Sequence, residues 1–219
     1  GSDYLSRDEF GLHVAISGDN YLVGARLADG VFTTNDGANI QMLQRGTAYV
    51  FSGAPGSAVQ VSSLDGGIAD GSASILGGFS EYGRRVAIAG DFAVVGAPQD
   101  GKEIANNTDQ RTGRAYVFHR NDNGTTQASD DTWTLVATLA PPTTDDDDGD
   151  YFGFGVAISD DLSTIAVGAM FHEAGGSNQG AAYVYSFDQN TGTATLEGRI
   201  RAASRTDSDE FARHLSLSE

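Results

Sequence analysis

The segment SEYGRRVAIAGD at residues 80–91 decides how this chain folds, because versions of it occur four times. DEFGLHVAISGD stands at residues 8–19, DYFGFGVAISDD at residues 150–161, and a weaker copy, DEFARHLSLSE, at residues 209–219. The aromatic residues that mark the repeat are Phe10, Tyr82, Phe152 and Phe211. A repeat of this kind indicates a fold built from copies of one supersecondary unit.

Each of the first three copies is followed by the same series of short apolar runs. The second run is YLVGA at 21–25, FAVVGAP at 92–98 and TIAVGA at 164–169. The third is GTAYVF at 46–51, GRAYVF at 113–118 and GAAYVY at 180–185, and a fourth lies at 58–62, 132–139 and 193–200. Short runs rich in Val, Ile, Tyr and Phe, bounded by Gly, Asp and Asn, predict strands.

Four strands per repeat, apolar in the first two runs and half-polar in the last, predict an all-β fold of β-propeller blades, each with four antiparallel strands. The predicted blades span about residues 10–63, 82–139 and 152–201, and residues 211–219 form the first strand of a fourth. Closed propellers have about four to eight blades. We therefore expect an incomplete propeller in a single domain, whose end blades expose apolar sides.

The composition excludes several classes of function. The 219 residues include 30 acidic residues and 13 Lys and Arg, so the formal net charge of −17 argues against binding to nucleic acid or anionic lipid. The chain has no Cys, which excludes disulfides and a cysteine nucleophile. No apolar run approaches the roughly 20 residues that a membrane-spanning helix needs.

The recurring Phe-Gly and Gly-Ala-Pro elements resemble the FG-GAP repeat, the blade unit of the integrin α-subunit propeller. The resemblance covers nearly the whole chain and implies an extracellular or cell-surface protein with a role in binding or cell adhesion. Its first element is carried by Phe10, Gly11, Tyr82, Gly83, Phe152 and Gly153, and its second is complete at Gly96, Ala97 and Pro98.

Calcium-binding blades of that family carry an Asp-rich loop between their first two strands, and here those connections are too short or lack alternate acids. The candidate ligands for Ca²⁺ lie elsewhere, at Asp146, Asp148 and Asp150, which alternate around Gly149 like half of a calcium loop. The alternative is a solvated acidic loop. We expect the residue two before each aromatic to cap a turn through its side chain: Asp8, Ser80, Asp150 and Asp209.

Other polar residues give weaker signals. Asn106 and Asn123 begin tripeptides of the N-glycosylation pattern and lie in predicted loops. His13 and His214 occupy equivalent repeat positions where other copies have Arg85 and Gly155, so neither is expected to be catalytic. The pair of Arg84 and Arg85 is expected to be a surface feature. No arrangement of nucleophile, base and orienting group stands out, which predicts that the chain is not an enzyme.

Long connections predict where the protein binds a partner. In a propeller blade the connections from second to third strand and from fourth to first emerge on one face. They are long here, at residues 26–45, 99–112, 170–179, 64–81, 140–151 and 202–210, whereas the connections on the other face are mostly hairpins. Loops this long are usually functional or disordered, so this face is the predicted binding face.

These observations favour a non-enzymatic extracellular module that binds a protein or glycan ligand through its long-loop face. A structural subunit of an extracellular filament or sheath, assembled through open blade ends, is the alternative. A third reading is the non-catalytic propeller part of a larger secreted enzyme. No cofactor is firmly implied. The expected partners are the ligand itself and further blades, from the same chain or from neighbouring subunits, at the open ends.

Overall fold

The computed structural model describes residues 8–28, 30–33, 39–42, 45–64, 80–100, 112–142, 149–173, 178–204 and 209–218. These residues form strands and one short 3₁₀ turn at Ala128–Asp130. The strands are β1 (Phe10–Ser17), β2 (Asn20–Ala25), β3 (Gly30–Thr33), β4 (Asn39–Met42), β5 (Thr47–Ser52), β6 (Val59–Leu64), β7 (Val86–Ala89), β8 (Phe92–Ala97), β9 (Arg114–Asn121), β10 (Thr132–Leu139), β11 (Phe152–Ile158), β12 (Thr164–Ala169), β13 (Ala181–Asp188) and β14 (Thr193–Ile200).

Three four-stranded sheets carry the fold, in the orders β1-β2-β5-β6, β7-β8-β9-β10 and β11-β12-β13-β14. Every pairing within them is antiparallel. The first strands of the three sheets are neighbours, because β7 packs against both β1 and β11. This is the arrangement of successive propeller blades, and it confirms the predicted all-β fold with one sheet per repeat.

From the second repeat onward, the aromatic residue of the repeat packs against the blade that precedes it in the chain. The aromatic residue forms a parallel bridge to the glycine that begins the third run of the previous repeat; the pairs are Gly46–Tyr82, Gly113–Phe152 and Gly180–Phe211. Tyr82 and Phe152 are buried in these positions, at 1% and 0% exposure. The aromatic residue therefore joins one blade to the next.

The Gly-Ala-Pro element meets the Phe-Gly element at the same junction. A β-carbon added to Gly96 would lie 2.0 Å from the carbonyl oxygen of Gly153, and one added to Gly168 would lie 2.1 Å from that of Ala212. Only glycine allows the two backbones to approach this closely. The two sequence elements recur in register because each junction needs both of them.

The core lies between the sheets as two apolar clusters. One packs the first sheet against the second and includes Leu22, Val50 and Val95. The other packs the second sheet against the third and includes Val94 and Ile165. Adjacent residues of one strand, such as Val94 and Val95, thus serve different clusters, since successive side chains point to opposite faces.

The first blade presents an apolar face that no residue of the described chain covers. Alternate side chains of β1 are exposed at 58%, 46%, 47% and 62%: Phe10, Leu12, Val14 and Ile16. The equivalent side chains of β11 are buried at 0–6% against the second blade: Phe152, Phe154, Val156 and Ile158. The apolar side expected on an end blade is therefore present on β1.

Two local features differ from the sequence-based expectation. Residues 212–218 do not form the predicted first strand of a fourth blade, although Phe211 bridges Gly180. None of the strands in the described ranges pairs with residues 212–218. In addition, β3 and β4 form a two-stranded antiparallel ladder inside the long connection 26–45, where no strands were predicted.

Candidate functional site

The candidate site is the end of the blades from which the long connections leave. In the first blade, Phe10 pairs with Ala25 and Ala25 with Thr47, so the connection 26–45 leaves beside the start of β1. The loops themselves lie largely outside the described residues, at 34–38, 65–79, 101–111, 143–148, 174–177 and 205–208. The structure describes the strand ends and turns from which these loops leave.

An arginine bridges the first two blades at this end. Arg26 directly follows β2, and its Nε and Nη2 donate to the Glu9 carboxylate at 2.6 and 2.8 Å. Its Nη1 donates to Glu81 Oε1 at 2.7 Å, and the other Glu81 oxygen accepts from Arg84. Burial lowers the pKa of Arg26, but its bonds to Glu9 and Glu81 raise it by more. Both oxygens of Glu81 are thus occupied by arginines.

The same backbone turn recurs beneath each loop. The residue before each aromatic has a positive φ between 49° and 56°, a region that non-glycine residues rarely adopt. These residues are Glu9, Glu81, Tyr151 and Glu210. The backbone therefore takes the same conformation immediately before each aromatic residue of the repeat.

The second blade holds a buried polar group at this end. Tyr116 donates its hydroxyl hydrogen to Asp100, and Arg114 Nη1 lies 3.6 Å from the same carboxylate. Asp100 is 1% exposed and Tyr116 is fully buried. Burial, together with the Asp100 charge, raises the pKa of the Tyr116 hydroxyl well above its usual value. Tyr116 is therefore a hydrogen-bond donor throughout the physiological pH range.

The third blade places a buried histidine at the corresponding position. His172 Nδ1 lies 2.8 Å from Asp150 Oδ2, and His172 Nε2 lies 2.8 Å from Arg201 Nη2. Arginine can only donate, so Nε2 accepts and the ring proton resides on Nδ1, which donates to Asp150. The His172 and Asp150 side chains are 2% and 1% exposed. This geometry holds His172 as the neutral Nδ1–H tautomer between a carboxylate and a guanidinium.

The residues predicted to bind calcium are only partly described. Asp146 and Asp148 lie outside the described residues, and Asp150 contacts His172. Within the described ranges, no three His, Asp or Glu side chains lie close enough together to hold a metal ion. The calcium site stays a prediction.

The expected turn cap at Asp150 is wrong. Its Oδ2 contacts the His172 ring, and its Oδ1 is buried without a hydrogen-bond partner, so neither oxygen accepts from the backbone of the turn. His172, which stands where the other repeats have Ala28 and Asp100, donates to Asp150 Oδ2 instead. In the second repeat, Ser80 Oγ donates instead to the Arg45 carbonyl at 2.8 Å.

Only one of the two glycosylation candidates falls within the described residues. Asn123 occupies an exposed turn with a φ of 53°, and its Nδ2 donates to the Asp130 carbonyl. Asn106 lies outside the described residues. Glycosylation at both stays a prediction.

The opposite end of the blades is built differently. A polar cavity of about 430 Å³ lies there between the hairpins of the first two blades. Arg120 crosses it and donates to Asp91 from Nε at 2.8 Å and to Asp131 from Nη1 at 3.0 Å. These ion pairs occupy two of the carboxylates that line the cavity. The cavity is lined by residues that include Ser17, Asn20, Asp122 and Thr125.

Sequence reasoning missed the buried groups beneath the loops. Aligning the repeats places Ala28, Asp100 and His172 in one column. The residue in that column is apolar in the first repeat and ionisable in the other two. This difference could have indicated a polar group at the base of the loops. Arg26 shows a similar difference, since its equivalents are Pro98 and Met170, but its partner Glu81 belongs to the next repeat and was not identifiable from the sequence.

No helix within the described ranges is long and apolar enough to cross a membrane.

Comparison with known proteins supports the assignment made from the repeats. The sequence profile described as "FG-GAP repeat" matches residues 1–51, 77–118 and 133–185, which together make up more than half of the chain. No curated protein sequence matches the chain significantly. Among solved structures, it is similar to the crystal structure of Saccharomyces cerevisiae Sqt1, with 11% sequence identity and a TM-score of 0.47. That match covers 91% of this chain but only 37% of the other.

Proposed function

Because the chain belongs to the FG-GAP repeat family, we propose that it is a non-enzymatic extracellular module that binds a protein or glycan ligand, as in adhesion. The ligand contacts the end of the blades that carries the long loops. The observation that carries this proposal is the contrast between the two ends. One end bears the connections 26–45 and 99–112, whereas at the other β1 and β2 are joined by Gly18 and Asp19 alone.

The loop bases are suited to support a binding surface. Arg26 ties the first blade to Glu81 of the second, and His172 is fixed between Asp150 and Arg201. Variable loops on a rigid base are the usual construction of a recognition site, because supporting contacts hold the site in its productive geometry.

The test is to shorten one long loop and measure binding. Residues 101–111 are replaced by a short Gly-Ser linker, and the variant is probed on a glycan microarray and on a panel of immobilised extracellular-matrix proteins. We expect ligand capture to be lost while thermal unfolding is unchanged. The matched control shortens residues 123–127, at the opposite end, and should keep capture.

Two outcomes would count against this proposal. Unchanged capture by the 101–111 variant removes that loop from the binding surface. Equal loss of capture in both variants contradicts binding at one end of the blades.

A structural subunit of an extracellular filament or sheath is the second candidate, and the exposed apolar face of β1 favours it. Val14 is 47% exposed in the middle of that face. If this face joins subunits, electron microscopy of the wild type should show ordered assemblies that Val14→Lys abolishes. Val136→Lys, on the outer strand β10, is the matched control. A wild type that stays monomeric at high concentration contradicts assembly.

A further inference from the structure

Three arginines lie together near the inner strands of an otherwise acidic protein. Arg84 and Arg213 both lie over the ring of Phe154, with their guanidinium carbons 4.1 and 5.9 Å from its centroid. Arg85 is close enough to both for their charges, after burial, to lower its pKa. Thus three of the chain's 13 Lys and Arg residues share one cluster, although 30 acidic residues are available to separate them.

The outer two arginines of this cluster have counter-ions. Arg84 donates to Glu81, whose second oxygen is taken by Arg26. Arg213 Nη1 donates to Glu210 Oε2 at 2.9 Å. The nearby carboxylates Glu81 and Glu210 are therefore already paired.

Among these three arginines, Arg85 is the one for which the described residues supply no carboxylate as a counter-ion. Its Nη2 lies 3.3 Å from both ring nitrogens of His214, which places it beside the ring and not in line with one acceptor. Its Nε is buried and has no hydrogen-bond partner. A charged N–H without an acceptor is costly, so the Arg85 guanidinium lacks an anion that its surroundings would favour.

Two imidazoles complete the surroundings of Arg85. His13 Nδ1 accepts from the Val86 N–H at 3.3 Å, so in the neutral ring the proton is on Nε2. His13, Arg85 and His214 occupy the same position in the first, second and fourth repeats, and the third repeat has Gly155 there. The contact of His13 with Val86 and that of His214 with Arg85 bring these equivalent positions together.

This cluster lies toward the long-loop end of the blades. The Arg85 carbonyl accepts from the Gly96 N–H at 2.9 Å, one residue before β8 ends at Ala97. Beyond Ala97 the chain enters the connection 99–112. Arg85 therefore lies near the end of the blades that carries this connection.

We propose that Arg85, flanked by His13 and His214, forms a binding site for a single oxyanion group: a carboxylate, sulfate or phosphate. The guanidinium fork matches two oxygens of such a group, which would contact the part of the Arg85 side chain that remains exposed. The imidazole N–H groups supply further donors beside it. The net charge of −17 favours a ligand with one anionic group over a polyanion, which the rest of the surface repels.

Isothermal titration with sodium acetate, sodium sulfate and inorganic phosphate, at ionic strength held constant with sodium chloride, tests the site. We expect saturable binding of at least one of these anions by the wild type. The preferred anion identifies the ligand group as a carboxylate, a sulfate ester or a phosphate. Arg85→Gln should weaken that binding by about tenfold or more, because a charged hydrogen-bond donor is lost.

Arg120→Gln is the matched control. Arg120 already has Asp91 and Asp131 as counter-ions, so this variant should bind as the wild type does. His214→Ala changes an exposed residue and should weaken binding, which keeps the test informative if Arg85→Gln does not fold. The absence of saturable binding to all three anions, or equal affinity in Arg85→Gln and the wild type, overturns the proposal.

The oxyanion site does not depend on the long loops. Shortening residues 101–111 leaves Arg85, His13 and His214 in place, so anion binding should survive a change that abolishes ligand capture. Failure of anion binding and failure of loop-dependent capture are therefore separate results.

Discussion

The α-carbon of Gly24 lies against the carbonyl of Gly83, so close that a β-carbon at residue 24 would be 1.9 Å from the oxygen. One blade approaches the next through this contact. Gly24→Ala should therefore force the first two blades apart and lower the free energy of unfolding by about 3 kcal/mol, as measured by urea denaturation.

Gly198→Ala is the control for this substitution. A β-carbon at residue 198 would meet nothing within 4 Å, so the variant should be as stable as the wild type or slightly more stable. Equal losses at residues 24 and 198 would show that the close approach at Gly24 is not responsible.

Ala212 occupies a backbone conformation that suits glycine. Its φ is 68°, and the equivalent residues of the other repeats are all glycines with φ between 81° and 90°: Gly11, Gly83 and Gly153. Ala212→Gly should therefore raise stability by about 1 kcal/mol, as followed by thermal unfolding. Ala87→Gly, in the interior of β7, should lower it by a similar amount, and a loss in both variants would contradict the proposed strain.

The exposed face of β1 should tolerate substitutions that the third blade does not. Ile16 is 62% exposed and its equivalent, Ile158, is 6% exposed. Ile158→Thr should lower the free energy of unfolding by about 2 kcal/mol, because it places a hydroxyl in the core, and Ile16→Thr should change it by less than about 0.5 kcal/mol. Equal losses in chemical denaturation would mean that the β1 face is covered in solution.

His13 makes the fold sensitive to acid. Burial, followed by the charge on Arg85, lowers its pKa, so below the ordinary histidine pKa the unfolded chain binds a proton that the folded protein resists. The contribution of His13 to stability is present above that pKa and is lost as the pH falls toward the lowered value.

The matched variant is His13→Asn, whose Oδ1 can replace Nδ1 as the acceptor for the Val86 N–H. The melting temperature should fall less between pH 7 and pH 5 in His13→Asn than in the wild type. Parallel falls in the two proteins would contradict this role.

We expect the contact of Asp150 with His172 to contribute to the free energy of unfolding. Asp150→Ala leaves the buried His172 Nδ1–H without its acceptor, and an unsatisfied buried donor costs about 2 kcal/mol. Urea denaturation with and without a chelator should give the same loss. A loss confined to calcium-containing buffer would assign Asp150 to the predicted calcium site instead.

The sheets were predictable because their determinants are local. Each strand is a short apolar run bounded by turn residues. The Phe-Gly and Gly-Ala elements meet at every junction, so their recurrence identified the blade as the repeating unit. The hairpin of β3 and β4 was missed inside a polar connection, although Asp36-Gly37 between the two runs is a turn signal.

The polar contacts were not predictable because their partners are distant in sequence. Asp150 and His172 are 22 residues apart across a connection, and Arg85 and His214 are 129 residues apart. Arg85 was expected to be a surface feature. The structure instead places it beside His214, and its neighbour Val86 contacts His13.

Each blade junction is closed by residues of two successive repeats, as Gly46 and Tyr82 illustrate. A pulling force applied to the two ends of the chain would therefore load the junctions in series. Stretching a single molecule should break the fold blade by blade, with each force peak releasing the length of one repeat, so that the repeat length in the sequence becomes a mechanical step size.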